Sequence, residues 1–328
     1  MELYPHITNH LSEVERIMAC DLEKEDQRVF GLLLPFLRRG GKRIRPALSL
    51  LSCSAAGGKY GDMLAPAAII EMFHNFTLIH DDIEDDSKFR RGEPTLHVSH
   101  GIPIALNSGD ALYTLLWKRL VLLKLPPKKL VSLQALYADA FKRVVEGQGI
   151  ELSWIKSGRF DVTEEEYLHM IDGKTSALMG LSCEAGAAIA GAPSRTRGAL
   201  RSYGEKIGAA FQIQDDVLNL VGDFEKYKKE IGGDVSEGKR TLMVVHFLKN
   251  APVKDKERLV SILSTHSAKK EDIAWAIEAM RGSGSIDYAR ECALRLVEGA
   301  KAELKRLPDS VDRAALESIA AYVITRER

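Results

Sequence analysis

Two short runs of aspartate carry the first sign of chemistry. His80-Asp81-Asp82-Ile83-Glu84-Asp85-Asp86 is one; Gln212-Ile213-Gln214-Asp215-Asp216-Val217-Leu218-Asn219, with Asp223 beyond it, is the other. On a helix, residues three and four apart share a face, so Asp81, Asp82 and Asp85 form one ladder of carboxylates. Magnesium takes hard oxygen ligands, commonly one or two carboxylates plus substrate phosphates. Two such ladders are suited to holding metal against a phosphorylated substrate. A solvated acidic helix end is the ordinary alternative for either run. The first run, however, emerges from the apolar Phe76-Thr77-Leu78-Ile79, and inward carboxylates from two helices are how bundles build metal sites.

Phosphates also need cations. Gly40-Gly41-Lys42-Arg43-Ile44-Arg45-Pro46 places three basic residues behind a glycine pair, and arginine offers a planar fork that suits phosphate. Arg90-Arg91-Gly92 follows the first aspartate run in a loop; it either covers what the aspartates bind or neutralises the acidic helix end. Gly173-Lys174-Thr175 interrupts a long helical pattern. A glycine there costs about 1 kcal/mol relative to alanine, which predicts a kink that turns Lys174 and Thr175 inward; an exposed lysine is the plain alternative. Lys229, Asp234 and Lys239-Arg240 lie in and around the glycine-rich Gly232 to Gly238, either a charged lid or a surface connection. His74 precedes the first aspartates on the same helix and reads by itself as a hydrogen-bonded core residue.

The elements that position these groups are helical throughout. Apolar residues recur at helical spacing over about 8–37, 43–57, 62–86, 102–123, 127–155, 163–190, 194–224, 239–249, 253–264, 269–281, 284–306 and 310–326, and alternating strand patterns are scarce. Thr163 and Glu166 form a capping box, and Pro193-Ser194 marks a helix start. The helices at 62–86 and 194–224 are long and apolar on most faces, as expected of the centre of a bundle. Both end in aspartates, where the helix dipole is unfavourable to negative charge. Cations must therefore answer them.

Composition sets the bounds. With 45% apolar residues in 328, a large core is available, and the absence of repeats or a Pro/Ser-rich linker predicts one domain over 1–328. Forty-six basic residues balance 46 acidic ones, so no global charge draws the chain to nucleic acid or an anionic membrane. No run reaches the ~20 apolar residues of a membrane span. Cys20, Cys53, Cys183 and Cys292 are too dispersed for a metal or redox motif and read as reduced thiols of a cytoplasmic protein.

Taken in order, Gly41-Lys42-Arg43-Ile44-Arg45-Pro46, Asp81-Asp82-x-x-Asp85 with Arg90-Arg91-Gly92, Gly173-Lys174-Thr175, Phe211-Gln212-x-x-Asp215-Asp216 and Gly238-Lys239-Arg240-Thr241 resemble the trans-isoprenyl diphosphate synthases, or polyprenyl synthetases, from about residue 30 to about 250. The resemblance implies an all-α bundle around a deep cavity, a homodimer, and magnesium (Mg2+), three ions per active site. It also implies a reaction. An allylic diphosphate (dimethylallyl, geranyl or farnesyl) ionises, the double bond of isopentenyl diphosphate attacks the cation, and a proton leaves. By the same resemblance, Asp81, Asp82, Asp85 and Asp215 hold the metal. Arg90, Lys174, Thr175, Gln212, Lys229 and Lys239 meet the allylic diphosphate, with Thr175 also supporting the cation. Lys42, Arg45, His74 and Arg91 hold isopentenyl diphosphate. Asn219 stands where many relatives carry aspartate, so it is left out of the ligand set.

Product length is expected to be set on the helix at 62–86. Phe76 lies ~7.5 Å and Phe73 ~12 Å before Asp81 at 1.5 Å per residue. A ring there can form the floor that stops chain growth, and in the resembling family an aromatic at Phe76 followed by Thr77 is similar to the archaeal geranylgeranyl (C20) type. Both rings are otherwise ordinary core residues. A farnesyl or longer-chain synthase is the nearest rival. A non-catalytic partner subunit would be expected to lose aspartates that this chain keeps, and a terpene cyclase would not need Lys42, Arg45 and Arg91.

Overall fold

The computed structural model describes residues 4–222 and 231–325; Asp223 and Lys229 lie outside them. The longer helices are α1 (Thr8–Glu23), α2 (Ile44–Ala55), α3 (Tyr60–Glu84), α4 (Ile102–Val121), α5 (Pro127–Ser157), α6 (Glu164–Ile171), α7 (Ala177–Ile189), α8 (Ser194–Val221), α9 (Leu242–Asn250), α10 (Val253–Ser264), α11 (Lys270–Gly282), α12 (Ser285–Leu304) and α13 (Val311–Thr325). Among the described residues the only strands are β1 (Phe89–Arg90) and β2 (Glu93–Pro94), paired antiparallel. The protein is all-α, as its periodicity predicts.

Chain contacts gather into two units. One comprises Met1–Phe141, Leu178–Arg201 and Arg306–Leu316; the other comprises Lys142–Ala177, Ser202–Lys305 and Glu317–Arg328.

In the first unit α3 is central and packs on α1, α2 and α4. Ala67, Ala68, Ile69, Ile70, Met72 and Phe73 in its middle are all fully buried, so side chains point into packed surroundings around the whole helix. Fully burying an aliphatic or aromatic side chain is worth roughly 1.5–3 kcal/mol, which anchors the helix that ends in the aspartates. The Tyr137 hydroxyl donates to the Pro66 carbonyl at 2.8 Å. Asp312 ties the unit's ends together by accepting from Ser54 Oγ (2.7 Å), from the Tyr60 hydroxyl and from His6 Nε2 (3.1 Å).

In the second unit α6 opens with the expected capping box. Thr163 Oγ1 accepts the Glu166 N–H at 3.2 Å, and Glu166 accepts the Thr163 N–H at 2.9 Å. Helix α9 packs on α12, which also meets α11.

Four sequence expectations require correction. The stretch 8–37 is three helices: α1, then Gln27–Phe30 and Leu33–Arg38. Asp26 starts the second of these by accepting the Arg28 N–H at 3.0 Å, a cap that competes with a continuous helix. The stretch 163–190 is broken by a π-helical turn at Asp172–Ser176. The loop at 88–95 holds a hairpin, and Leu96–His100 adds a short helix. Finally, α8 is buried on most faces only in its second half. Ser194, Arg195 and Thr196 open it on the surface, whereas Ile207, Ala210, Ile213 and Val217 are buried.

Candidate active site

The first unit carries an acidic helix end facing a basic loop. Helix α3 stops at Glu84, with Asp85 as its C-cap and the Asp85 N–H bonded to the Asp81 carbonyl at 2.9 Å. Asp81 and Asp85 thus keep the predicted one-turn spacing. Asp86 turns aside into a left-handed conformation (φ 48°) and pairs with Lys88 at 2.7 Å. Asp82 is the buried member, 1% exposed. Its Oδ1 accepts from Arg90 Nε at 2.6 Å, while its Oδ2 is buried with no hydrogen-bond partner. Burial pushes its carboxyl above the usual range although Arg90 opposes that shift. A buried carboxylate oxygen without a donor is what a hard cation would complete. Among the described residues no three His, Cys, Asp or Glu side chains converge into a metal cage. A metal bound here must therefore draw part of its shell from elsewhere, as magnesium does with phosphates.

The hairpin aims the arginines apart. Arg91 (φ 55°) and Gly92 (φ 83°) both occupy the left-handed region between β1 and β2, the pattern of a type I′ turn. Arg90 folds back onto Asp82, so at this position neutralisation of the helix end is the observed arrangement. Arg91 reaches the other way and donates to the Gly40 carbonyl. Gly41 holds a positive φ of 137° that favours glycine, and a Cβ there would lie 2.9 Å from Arg91 Nη2, so the guanidinium would have to shift.

Arg43, in the middle of the basic motif, is consumed by structure. It is buried, left-handed (φ 49°), and bonded to Glu15 (2.6 Å), Glu71 (3.0 Å) and the Leu37 carbonyl (2.8 Å). Lys42, which is exposed, and Arg45, which is partly buried, flank it. His74 faces this group. Burial, reinforced by the charges of Arg45, Arg91, Arg90 and Arg43, holds its imidazole well below the ordinary histidine range. A neutral histidine beside clustered arginines marks an excess of local positive charge, the condition an anion would relieve.

That shift has a measurable consequence. The unfolded chain protonates His74 near ~6.5 and the folded chain does not, so stability present above that pH is lost as pH falls toward the folded value. The His74 contribution should approach a slope of about 1.4 kcal/mol per pH unit. His74→Gln, which cannot titrate, should flatten the denaturant-unfolding profile between pH 7 and 5; an unchanged profile would refute the assignment.

The second unit builds a small cavity of about 40 Å³ lined by Glu151, Tyr167, Lys174, Gln212, Asp216 and Lys239, among others. Its floor is the π-turn. Gly173 and Gly147 make the turn possible, because a Cβ on Gly147 would lie 2.2 Å from the Lys174 nitrogen and one on Gly173 would lie 2.7 Å from the Arg143 carbonyl. Arg143 then clamps the turn, reaching Asp172 at 2.8 Å and Glu205 at 2.9 Å. The predicted kink is present; Lys174 lines the cavity, while Thr175 is buried behind it.

Thr175 Oγ1 donates to Gln212 Oε1 at 2.7 Å, and Gln212 Nε2 donates to Asp216 Oδ1 at 2.8 Å. The Tyr167 hydroxyl occupies Asp216 Oδ2 at 2.9 Å. Asp216 is thereby fixed as the orienting partner of Gln212. Burial and the nearby Asp234 charge push its carboxyl well above the ordinary range. Asp215, beside it, is partly exposed. Asn219 Oδ1 accepts the Asp234 N–H at 3.0 Å, and its carbonyl accepts the Gly232 N–H at 2.7 Å. The amide therefore moors the Gly233–Ser236 turn. Lys239 pairs with Asp234 (3.5 Å) and Glu237.

Glu151 and Tyr167 escaped the sequence reading. Lys174 Nζ lies 2.5 Å from Glu151 Oε2. Burial raises the Glu151 carboxyl, and Lys174, Lys239 and Arg240 together bring it below its ordinary value. The available signal was Gly147 within a helical stretch, a mark of close backbone approach. Of the remaining predicted residues, Phe76 is partly exposed and Phe73 fully buried beneath it, their ring centroids 5.4 Å apart.

The sequence matches the polyprenyl synthetase family over residues 28–280. It is 44% identical over 288 residues to the short chain isoprenyl diphosphate synthase of Methanothermobacter thermautotrophicus, covering 88% of this chain and 87% of that protein. The fold superposes on the geranylgeranyl pyrophosphate synthetase of Pyrococcus horikoshii Ot3 with a TM-score of 0.93, at 36% identity over 99% and 98% of the two chains. A polyprenyl synthase from Caulobacter crescentus CB15, solved with calcium and isoprenyl diphosphate, gives 0.91 at 28% identity over 100% and 98%. With its helical architecture, aspartate runs and answering cations, the chain belongs to the polyprenyl synthetase family and is a trans-prenyltransferase.

Proposed function

We propose that the protein extends dimethylallyl, geranyl and farnesyl diphosphates with isopentenyl diphosphate and stops mainly at geranylgeranyl diphosphate. The carrying observation is in the first unit: a buried carboxylate oxygen on Asp82 without a donor, on the helix that also carries His74, whose imidazole is held neutral by burial and nearby arginines. Asp81, Asp82, Asp85 and Asp215 are the residues that would hold magnesium, which when bound stabilises negative charge on the departing diphosphate. The calcium and isoprenyl diphosphate in the Caulobacter relative support a divalent cation and this ligand class.

In this reading Lys174 and Lys239 hold the allylic diphosphate, with Arg90 and Gln212. The allylic C–O bond breaks and its electron pair leaves with the diphosphate. The hydroxyl of Thr175, oriented by its bond to Gln212, presents its oxygen toward the cation. Lys42, Arg45, Arg91 and His74 keep isopentenyl diphosphate in place while its double bond forms the new C–C bond. No side chain is needed as base, because the released diphosphate can take the proton. Apolar side chains keep water from the cation. The whole chain serves as one catalytic domain, cytoplasmic and paired as a homodimer.

One incubation tests the assignment. Purified protein, magnesium and isopentenyl diphosphate are mixed with each allylic primer in turn, and products are identified by mass spectrometry. Elongation ending mainly at C20 is expected; absence of elongation from every primer in folded protein would overturn the reading. The named activity of the Pyrococcus relative supports the C20 product, as does the placement of Phe76, whose ring is partly exposed below Asp81 while Phe73 backs it. Phe76→Ala should lengthen the product by at least one five-carbon unit. An unchanged product distribution would remove Phe76 from the floor.

A further inference from the structure

We infer that Arg240 is a positioning residue for the reaction: it locks the turn that carries Lys239 onto the C-terminal end of α5, beside the cavity that Lys174 lines. This rests on the reading of Lys239 as a cation of the allylic diphosphate. In Gly238-Lys239-Arg240-Thr241 that reading uses only the lysine. The arginine next to it is 3% exposed and lines the same cavity. Each of its three nitrogens is spent on a main-chain carbonyl. Nε donates to Arg159 at 2.8 Å, Nη2 donates to Trp154 at 3.2 Å, and Nη1 donates to Gly238. The guanidinium lies over the Phe160 ring, with Cζ 4.0 Å from the centroid.

These contacts have one physical cause. The last carbonyls of a helix lack partners within it and carry the negative end of its dipole, and Trp154 belongs to the last turn of α5. A planar fork can meet diverging carbonyls and stack flat on a ring, which a lysine ammonium cannot. The turn is also held from its other side. The Lys239 N–H donates to the Asp234 carbonyl at 2.9 Å, and Thr241 Oγ1 accepts the Val244 N–H at 3.5 Å to start α9. Glu151, one turn before Trp154 on α5, holds Lys174. Both lysines are thus referenced to the same helix end, Lys174 through Glu151 and Lys239 through Arg240. Without the fork, the turn that carries Lys239 can shift relative to Lys174, and a misplacement of ~1 Å at a reacting centre can cost about 10²-fold.

The experiment is a double-mutant cycle on the full chain with Lys239→Met, Arg240→Met, Arg240→Lys and the Lys239→Met/Arg240→Met pair. Steady-state kinetics with magnesium give separate KM values for farnesyl and isopentenyl diphosphates, and circular dichroism reports folding. Arg240→Met and Arg240→Lys should each raise the farnesyl diphosphate KM about tenfold, within the range set by coupled neighbours, and leave the isopentenyl diphosphate KM unchanged. Because Arg240 acts through Lys239, the pair should have the same farnesyl diphosphate KM as Lys239→Met alone. If Arg240→Met fails to fold, Arg240→Lys and its pair with Lys239→Met run the same cycle. Effects that multiply in the pair, equal rises in both KM values, or a parent KM in Arg240→Lys would overturn this inference alone. A parent farnesyl diphosphate KM in Lys239→Met would overturn the reading of Lys239 and this inference with it.

Discussion

Asp82→Asn is expected to lower kcat by about 10²–10³-fold, the usual cost of removing one preorganised electrostatic group from a reacting centre. Asparagine keeps the volume and can still accept from Arg90, so the fold should survive. What disappears is the negative charge and the buried Oδ2 that has no donor. Arg90, 2.6 Å from Oδ1 in the parent, then faces a neutral amide. Part of the effect should appear as a higher magnesium requirement, since the ligand lost is anionic. Steady-state kinetics over a magnesium titration, with a melting curve for each preparation, separates that cause from unfolding. A folded variant within about tenfold of the parent, or ~1.4 kcal/mol in activation free energy, would show that Asp82 serves only to pair Arg90.

Asp82 also marks where the sequence stopped being informative. The aspartate ladder was legible because carboxylates at helical spacing emerged from an apolar run, and that conflict is local. A kink at Gly173 was legible for the same kind of reason, since glycine inside an otherwise helical pattern conflicts with propensity, but its π-helical form was not. The partners within the ion pairs were not legible. The arginines after the first aspartate run offered neutralisation of the helix end without naming Asp82, and Lys174 reaches Glu151, 23 residues away. The same limit explains the basic motif. Nothing in Lys42-Arg43-Ile44-Arg45 says that the middle arginine is spent on Glu15 and Glu71, since both acids lie 28 residues away. The hairpin at 89–94 was invisible because two-residue strands leave no periodicity to read. Asn219's bond to the Asp234 N–H was not legible either, because it depends on where a later turn returns.

Lys174→Met should have two separable effects, and their separation tests whether the lysine serves the reaction or only the fold. Lys174 is the nearest cation to Glu151, and their side chains are 18% and 10% exposed. Removing one member of a buried pair typically costs about 3–5 kcal/mol, because the remaining charge is left in a poor solvent. Lys239 and Arg240 also stabilise the Glu151 carboxylate, so a loss toward the lower end of that range is expected. This stabilisation has a definite pH sense. Glu151 titrates below its ordinary value in the folded state, so its contribution is present above the unfolded value of ~4.3 and fades as pH falls through the folded one. Pairing Lys174→Met with Glu151→Gln removes the stranded charge and should restore most of the lost stability, with a coupling energy of about 0.5–3 kcal/mol in the double-mutant cycle. Activity should not return with it, because the double variant still lacks the cation proposed to hold the departing diphosphate. Recovery of kcat together with stability would reduce Lys174 to a structural counter-ion for Glu151 and leave Lys239 as the cation of this cavity.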